Sequence, residues 1–163
     1  MVGPDADGCP IDAPHVRYLG VLHRCQVLGA IAGSVGLISM SESESFGIVI
    51  VEAWMCAKPI IAASYNAAFR ELVEHDLTGM LVASEDELRE SMLAMLEDPR
   101  RAARMGQAGR SEALAKYTWD AVAKRWADLL RPLTQEKREA AAPRGEVAVP
   151  ERQEAEVGAS GEE

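Results

Sequence analysis

The stretch Ser43-Glu44-Ser45-Phe46-Gly47-Ile48-Val49-Ile50-Val51-Glu52-Ala53-Trp54 carries the pattern in this chain most suggestive of chemistry. A polar loop containing Gly47 leaves one apolar run and enters another that is long enough for a helix. Where such a loop sits at the carboxyl edge of a sheet, the first N–H groups of the helix lack intrahelical partners. The helix dipole adds partial positive charge there, so the turn suits an anion. Glu52 is the only charged residue between Ile48 and Ala57. Burying a lone carboxylate costs several kcal/mol, so Glu52 must reach an edge or a hydrogen-bonding partner. Beside a nucleotide, such a carboxylate accepts from ribose hydroxyls. A plainer reading exists for each acid. Glu44 is then a first-turn acid that favours the dipole, and Glu52 the single solvent-facing residue of its helix. Spacing alone does not separate the two readings.

The surrounding elements must position these residues. Val16 to Leu19 reads as a strand, His23 to Ala32 as a helix burying Val27, Leu28 and Ile31, and Val35 to Met40 as a second strand. Ile48 to Cys56 is ambiguous by periodicity, but its length and its end at Ala57-Lys58-Pro59 favour a buried helix. Pro59 to Ala63 reads as a buried strand, Ala67 to Glu74 as a short helix and Met80 to Val82 as a strand. Strands with little polar relief, alternating with helices, imply a parallel sheet covered on both faces. The expected fold is therefore α/β and doubly wound, with ligands at the carboxyl ends of the strands. Ser84 is placed to cap a helix reaching about Leu96, Asp98-Pro99 to start another, and Thr118 to cap a last one. In that last helix Trp119, Val122, Trp126, Leu129 and Leu130 follow three- and four-residue spacing and are expected to pack.

Composition bounds the rest. The chain has 163 residues, 48% of them hydrophobic and 26% charged, the balance of a globular protein. With 5% aromatic residues, Ala, Leu and Val must build most of the core. A net charge of −9 argues against nucleic acid or an anionic membrane as partner. No apolar run suggests a transmembrane segment, and the first residues carry no signal-peptide pattern, so a cytoplasmic setting is expected. Cys9, Cys25 and Cys56 read as reduced thiols, with no metal-type spacing. The expected organisation is a loop over 1–15, a folded domain over 16–134 and a disordered acidic tail over 135–163. The tail holds 8 acids and 4 bases, so it supplies −4 of the charge (4 − 8) and leaves −5 to the rest. His15, His23 and His75 are scattered and receive no role, and Met92, Met95 and Met105 read as core filler. Arg100, Arg101, Arg104 and Arg110 read as a solvated helical face.

Glu44-x7-Glu52, set within Ser-Glu-Ser-Phe-Gly-Ile-Val-Ile-Val-Glu-Ala, resembles the E-x7-E motif of retaining glycosyltransferases of family 4. Val16-Arg17-Tyr18-Leu19-Gly20, Lys58-Pro59-Ile60-Ile61-Ala62, Glu71-Leu72-Val73 and Thr78-Gly79-Met80-Leu81-Val82 follow the family's order. So do Asp98-Pro99, Met105-Gly106 and Tyr117-Thr118-Trp119, and the resemblance spans roughly residues 1–130.

The resemblance implies the C-terminal, donor-binding half of a two-domain glycosyltransferase B-type fold. Glu44 would contact the donor sugar as the catalytic carboxylate, Ser45, Phe46, Gly47 and Ile48 would hold sugar hydroxyls and diphosphate, and Glu52 would bind the ribose. No metal or other cofactor is implied, because helix N-termini and basic groups stabilise the departing diphosphate. The substrate would be a UDP- or GDP-hexose, transferred to a hydroxyl acceptor with retention, in the cytoplasm or at the inner membrane surface. Met1-Val2-Gly3-Pro4-Asp5 resembles the end of the family's second strand in this half. The usual diphosphate-clamping Arg and Lys, and the N-terminal acceptor domain, would then lie upstream. This implies a truncated chain that is inactive alone and pairs with a separate N-terminal domain. Asn66-Ala67-Ala68 stands where family members commonly carry Gly-Gly. Two rivals remain: a non-catalytic nucleotide-sugar-binding or interaction module, and a sugar-nucleotide epimerase-type enzyme on the same scaffold.

Overall fold

In the computed structural model, residues 13–141 are described, with side chains to residue 133. They form α1 (Arg24–Gly33), β1 (Leu37–Ser39), α2 (Ile48–Met55), β2 (Ile60–Ala63), α3 (Ala67–Leu72), β3 (Met80–Val82), α4 (Glu85–Glu97), α5 (Pro99–Lys116) and α6 (Trp119–Ala141). The described residues divide into one compact unit up to Lys124 and a second from Arg125. The sheet and α1 to α5 belong to the first.

The three strands are parallel in the order β1-β2-β3, with Leu37 opposite Ile60 and Ile61 opposite Met80. Every residue of β2 is buried. Alternation along β2 sends Ile60 and Ala62 into a cluster with Ile31, Ile50, Ala53, Trp54 and Phe69, from α1, α2 and α3. Ile61 enters a second cluster with Met80, Val82, Met95, Ala102 and Met105, from β3, α4 and α5. The sheet is thus covered on both faces, as its unbroken apolar strands require, and the expected α/β class is what the molecule adopts.

Helix starts follow their caps. The Ser84 hydroxyl accepts from Glu87 N–H at 3.3 Å, Asp98 Oδ1 from Arg101 N–H at 2.8 Å, and Thr118 Oγ1 from Ala121 N–H at 3.2 Å. At α1 the cap is His23, whose Nδ1 accepts from Cys25 N–H at 3.4 Å while Gln26 Oε1 accepts from His23 N–H at 3.0 Å.

Five expectations change. Residues 16–19 form no strand: among the described residues the sheet has three strands, none of which pairs with this segment. Arg101 is more than part of a solvated face. Its Nη2 lies 2.7 Å from Asp76 Oδ1 and ties α5 to the turn before β3, where Asp76 adopts φ 64°. Met92 is exposed, whereas Met95 and Met105 are core residues. Within the first unit, Trp119 of α6 is 88% exposed, whereas Val122 is half-buried. Helix α6 also continues through residues 135–141, a run of good helix formers. The remainder of the expected acidic tail, like residues 1–12 with Cys9, lies outside the described residues.

Candidate functional site

All three strands point their carboxyl ends at one edge, and the loops that follow are tied together there. Ser64 N–H donates to Val82 C=O at 2.8 Å, joining the ends of β2 and β3. Tyr65 Oη donates to Met40 C=O and Asn66 Nδ2 to Ser41 C=O, each at 3.1 Å, joining the β2 loop to the loop after β1. Ser41 Oγ donates to Ser43 C=O at 3.1 Å, which tightens the start of that loop. Asn66 is buried and also caps α3, its Oδ1 accepting from Ala68 N–H at 3.0 Å and Phe69 N–H at 3.4 Å. The Asn66 side chain therefore works as a cross-link between two loops. Arg70 Nη1 donates to Ser64 C=O at 3.1 Å on the same edge.

Between the β1 loop and α2 stands Gly47. It is the N-cap of α2, with φ 82° and ψ 50°, and no side chain caps the helix. The N–H groups of Ile48 and Val49 consequently have no intrahelical partner at the carboxyl edge of the sheet, while Ile50 N–H donates to Gly47 C=O at 3.0 Å. Gly47 is buried against Phe69 and Leu72 of α3, so the glycine answers to both the left-handed backbone and a close approach. Glu44 and Ser45 are exposed ahead of it, and Phe46 is half exposed, its ring edge-on to Tyr117 at 5.6 Å between centroids. Ile48 begins the helix with its side chain exposed.

Glu52 lies one turn further along α2, flanked by the buried Ile50, Ala53 and Trp54. Its side chain is 21% exposed and is paired with Arg24 of α1, Nη2 to Oε1 at 3.4 Å. The requirement that this carboxylate find a partner is thereby met. Beside this face a groove of about 510 Å³ runs between α1 and β1, lined by Leu19, Val27, Ile31, Leu37, Ser39 and Val49 among others.

The structure therefore brings Glu44, Ser45, Phe46, Gly47 and Ile48 to one edge and sets Glu52 against α1. Sequence reasoning missed Arg24, Tyr65 and Asn66. A signal existed only for Asn66, an Asn directly before a helical run. His23 and His75 hold backbone, the latter with Nδ1 accepting from Leu81 N–H at 3.0 Å. Among the described residues, no group of three or more His, Cys, Asp or Glu side chains is placed to hold a metal ion. Cys25 and Cys56 are free thiols, and no described helix is long and apolar enough to cross a membrane.

A parallel sheet covered on both faces, with a glycine-capped helix rising from its carboxyl edge, defines a Rossmann-like domain. The chain belongs to the glycosyl transferases group 1 family, whose profile matches residues 13–112. It is 39% identical over 92 residues to a GDP-mannose-dependent alpha-(1-6)-phosphatidylinositol monomannoside mannosyltransferase of Mycobacterium tuberculosis, covering 55% of this chain and 24% of that one. A GDP-mannose-dependent monoacylated alpha-(1-6)-phosphatidylinositol monomannoside mannosyltransferase of Corynebacterium glutamicum is 29% identical over 127 residues, 72% of this chain and 32% of that one. Among solved structures, Anabaena HepE in complex with UDP-glucose superposes with a TM-score of 0.64 at 27% identity, over 73% of this chain and 33% of that one. The chain thus spans about a quarter to a third of the length of these relatives.

Proposed function

We propose that this chain is the donor-binding, C-terminal half of a retaining family 4 glycosyltransferase that moves a hexose from a UDP- or GDP-sugar to a hydroxyl acceptor. The observation that carries the reading is the turn at Gly47, a left-handed cap without a side chain that opens the N-terminus of α2 at the carboxyl edge of the sheet. Glu44 precedes that turn and Glu52 follows it on the same helix. In this reading the backbone amides at Phe46, Gly47 and Ile48, with Ser45, receive the diphosphate and sugar hydroxyls, because helix-end N–H groups and the dipole favour anions. Glu44, exposed and ahead of the helix, lies where positive charge develops on the donor sugar. Glu52 accepts from the ribose hydroxyls. The relatives support a nucleotide-sugar substrate: two are named for GDP-mannose and one was solved with UDP-glucose. No metal or other cofactor is needed, since the departing diphosphate is met by helix-end N–H groups and basic side chains.

In this proposal, acceptor binding falls to a separate N-terminal domain, and the 163-residue chain alone binds donor with little transfer activity. The setting is cytoplasmic, at the inner face of a membrane when the acceptor is a lipid.

The test is calorimetric titration of UDP and GDP into the full chain and into Glu52→Ala. Loss of a charge-assisted hydrogen bond is expected to weaken the preferred nucleotide about tenfold. Equal binding curves for the two proteins remove Glu52 from the ribose site.

A further inference from the structure

We infer that Arg24 is a positioning residue for Glu52, holding its carboxylate in the orientation that receives a ribose diol. This inference rests on the donor-site reading above and adds to it a residue outside the Glu44–Glu52 motif. Glu52 projects from a helix otherwise built of Ile48, Val49, Ile50, Val51, Ala53, Trp54 and Met55. A carboxylate in such a setting has rotamers to choose among and, on its own helix, no polar neighbour to choose for it. Arg24, from a different element, supplies the choice through Nη2 at 3.4 Å from Oε1.

Three features make this arrangement suited to guiding the carboxylate. First, the separation is longer than the 2.7–2.9 Å typical of a strong charge-assisted bond, so the pair orients the carboxylate without saturating it. Second, the cation lies on the solvent side. The Arg24 side chain is 73% exposed and that of Glu52 21% exposed, so a ligand arriving from solvent meets both groups together. The guanidinium can stay paired with Glu52 and turn donors toward a ligand oxygen, as a fork of five donors permits. Third, the backbone under Arg24 is fixed. Arg24 opens α1 directly after the His23 cap, closed by the His23–Cys25 and His23–Gln26 hydrogen bonds, while Ile31 anchors the helix in the core.

The cation end of the pair is largely exposed, so Arg24→Ala is read in binding, with the thermal midpoint reporting any cost of leaving the Glu52 carboxylate without its partner. The experiment is a double-mutant cycle in the full chain: wild type, Arg24→Ala, Glu52→Ala and the double variant. Each is titrated with UDP or GDP, whichever the wild type binds more tightly, and with the 2′,3′-dideoxy form of that nucleotide. Thermal midpoints are recorded for all.

Arg24→Ala is expected to weaken the ribonucleotide about threefold to fivefold, the range an exposed pair can transmit. It should have no effect on the dideoxy nucleotide and none in the Glu52→Ala background. Arg24→Lys should restore part of the loss, because it returns the charge without the planar fork. Equal losses from Arg24→Ala with and without Glu52, or equal losses for the ribo- and dideoxy nucleotides, overturn the inference and place Arg24 on the phosphates or in the fold. Tighter binding in Arg24→Ala also overturns it, showing a side chain that obstructs the site. If Glu52→Ala binds the ribonucleotide as wild type does, the ribose reading itself has failed, an outcome distinct from the others.

Discussion

Gly47→Ala is expected to destabilise the domain by about 2–5 kcal/mol and to abolish nucleotide binding, although it adds one methyl group. Two costs combine. Gly47 has φ 82°, in a region where a side chain costs roughly 1–2 kcal/mol. The new Cβ would also stand 2.9 Å from Phe69 Cε1 and 3.2 Å from Phe69 Cδ1, with Leu72 Cδ1 at 3.4 Å. Phe69 is fully buried and cannot swing aside, so overpacking contributes a further cost of about 1–3 kcal/mol. The chain can relieve both only by rotating the turn, and that moves the helix N–H groups that the donor would meet. Urea denaturation checks the stability half through a lower midpoint at unchanged slope. Titration under conditions where the variant is folded checks the binding half. A wild-type midpoint would show that the turn tolerates a side chain and that its geometry is not what glycine secures.

Gly109→Ala should act against the usual rule. In a helix interior this substitution ordinarily stabilises by about 0.5–1 kcal/mol, because alanine loses less backbone freedom. Here the added Cβ would lie 2.6 Å from Trp54 Cγ and closer still to Cδ1 and Nε1. Trp54 has no room to yield. It is fully buried, and its indole Nε1 donates to Thr78 C=O at 2.9 Å. Helix α5 must then back away from α2, opening a seam also closed by Gly106 against the carbonyl of Ala57. The expected loss is about 3 kcal/mol or more. Gly29→Ala in α1 is the control: its Cβ meets nothing within 4 Å, and it should be neutral or stabilising. In a double-mutant cycle, Trp54→Phe, which removes the crowding indole nitrogen, should recover part of the Gly109→Ala loss. Equal stabilities for the Gly109 and Gly29 variants would refute the packing account.

What was legible beforehand, and what was not, has physical causes. Local signals carried well. Ile48 to Cys56 was ambiguous in period but ended at Ala57-Lys58-Pro59, and α2 does close at Met55 with Ala57 at φ 54°. Ser84, Asp98 and Thr118 cap the helices they precede, because a cap is settled within four residues. Unbroken apolar runs at Pro59 to Ala63 and Met80 to Val82 are the buried parallel strands. Signals that depend on a distant partner did not carry. Val16 to Leu19 looks like a strand, but a strand exists only with a neighbour to share its ladder. The spacing of Trp119, Trp126 and Leu129 marks one face of a helix, yet periodicity cannot say what covers that face, and Trp119 is exposed. At the site, the motif placed Glu44 through Glu52 along the chain. It held no information about Arg24, which reaches Glu52 from another helix, or about Asn66, which grips the loop through Ser41.

In the proposed function a nucleotide sugar meets this chain at the turn into α2, and amide chemical-shift mapping of the full chain during addition of UDP and GDP tests this. One nucleotide is expected to produce saturable shifts largest from Ser45 to Val49 and at Glu52, with smaller ones at Arg24. Shifts centred on α4 and α5, or none at millimolar nucleotide, would contradict it.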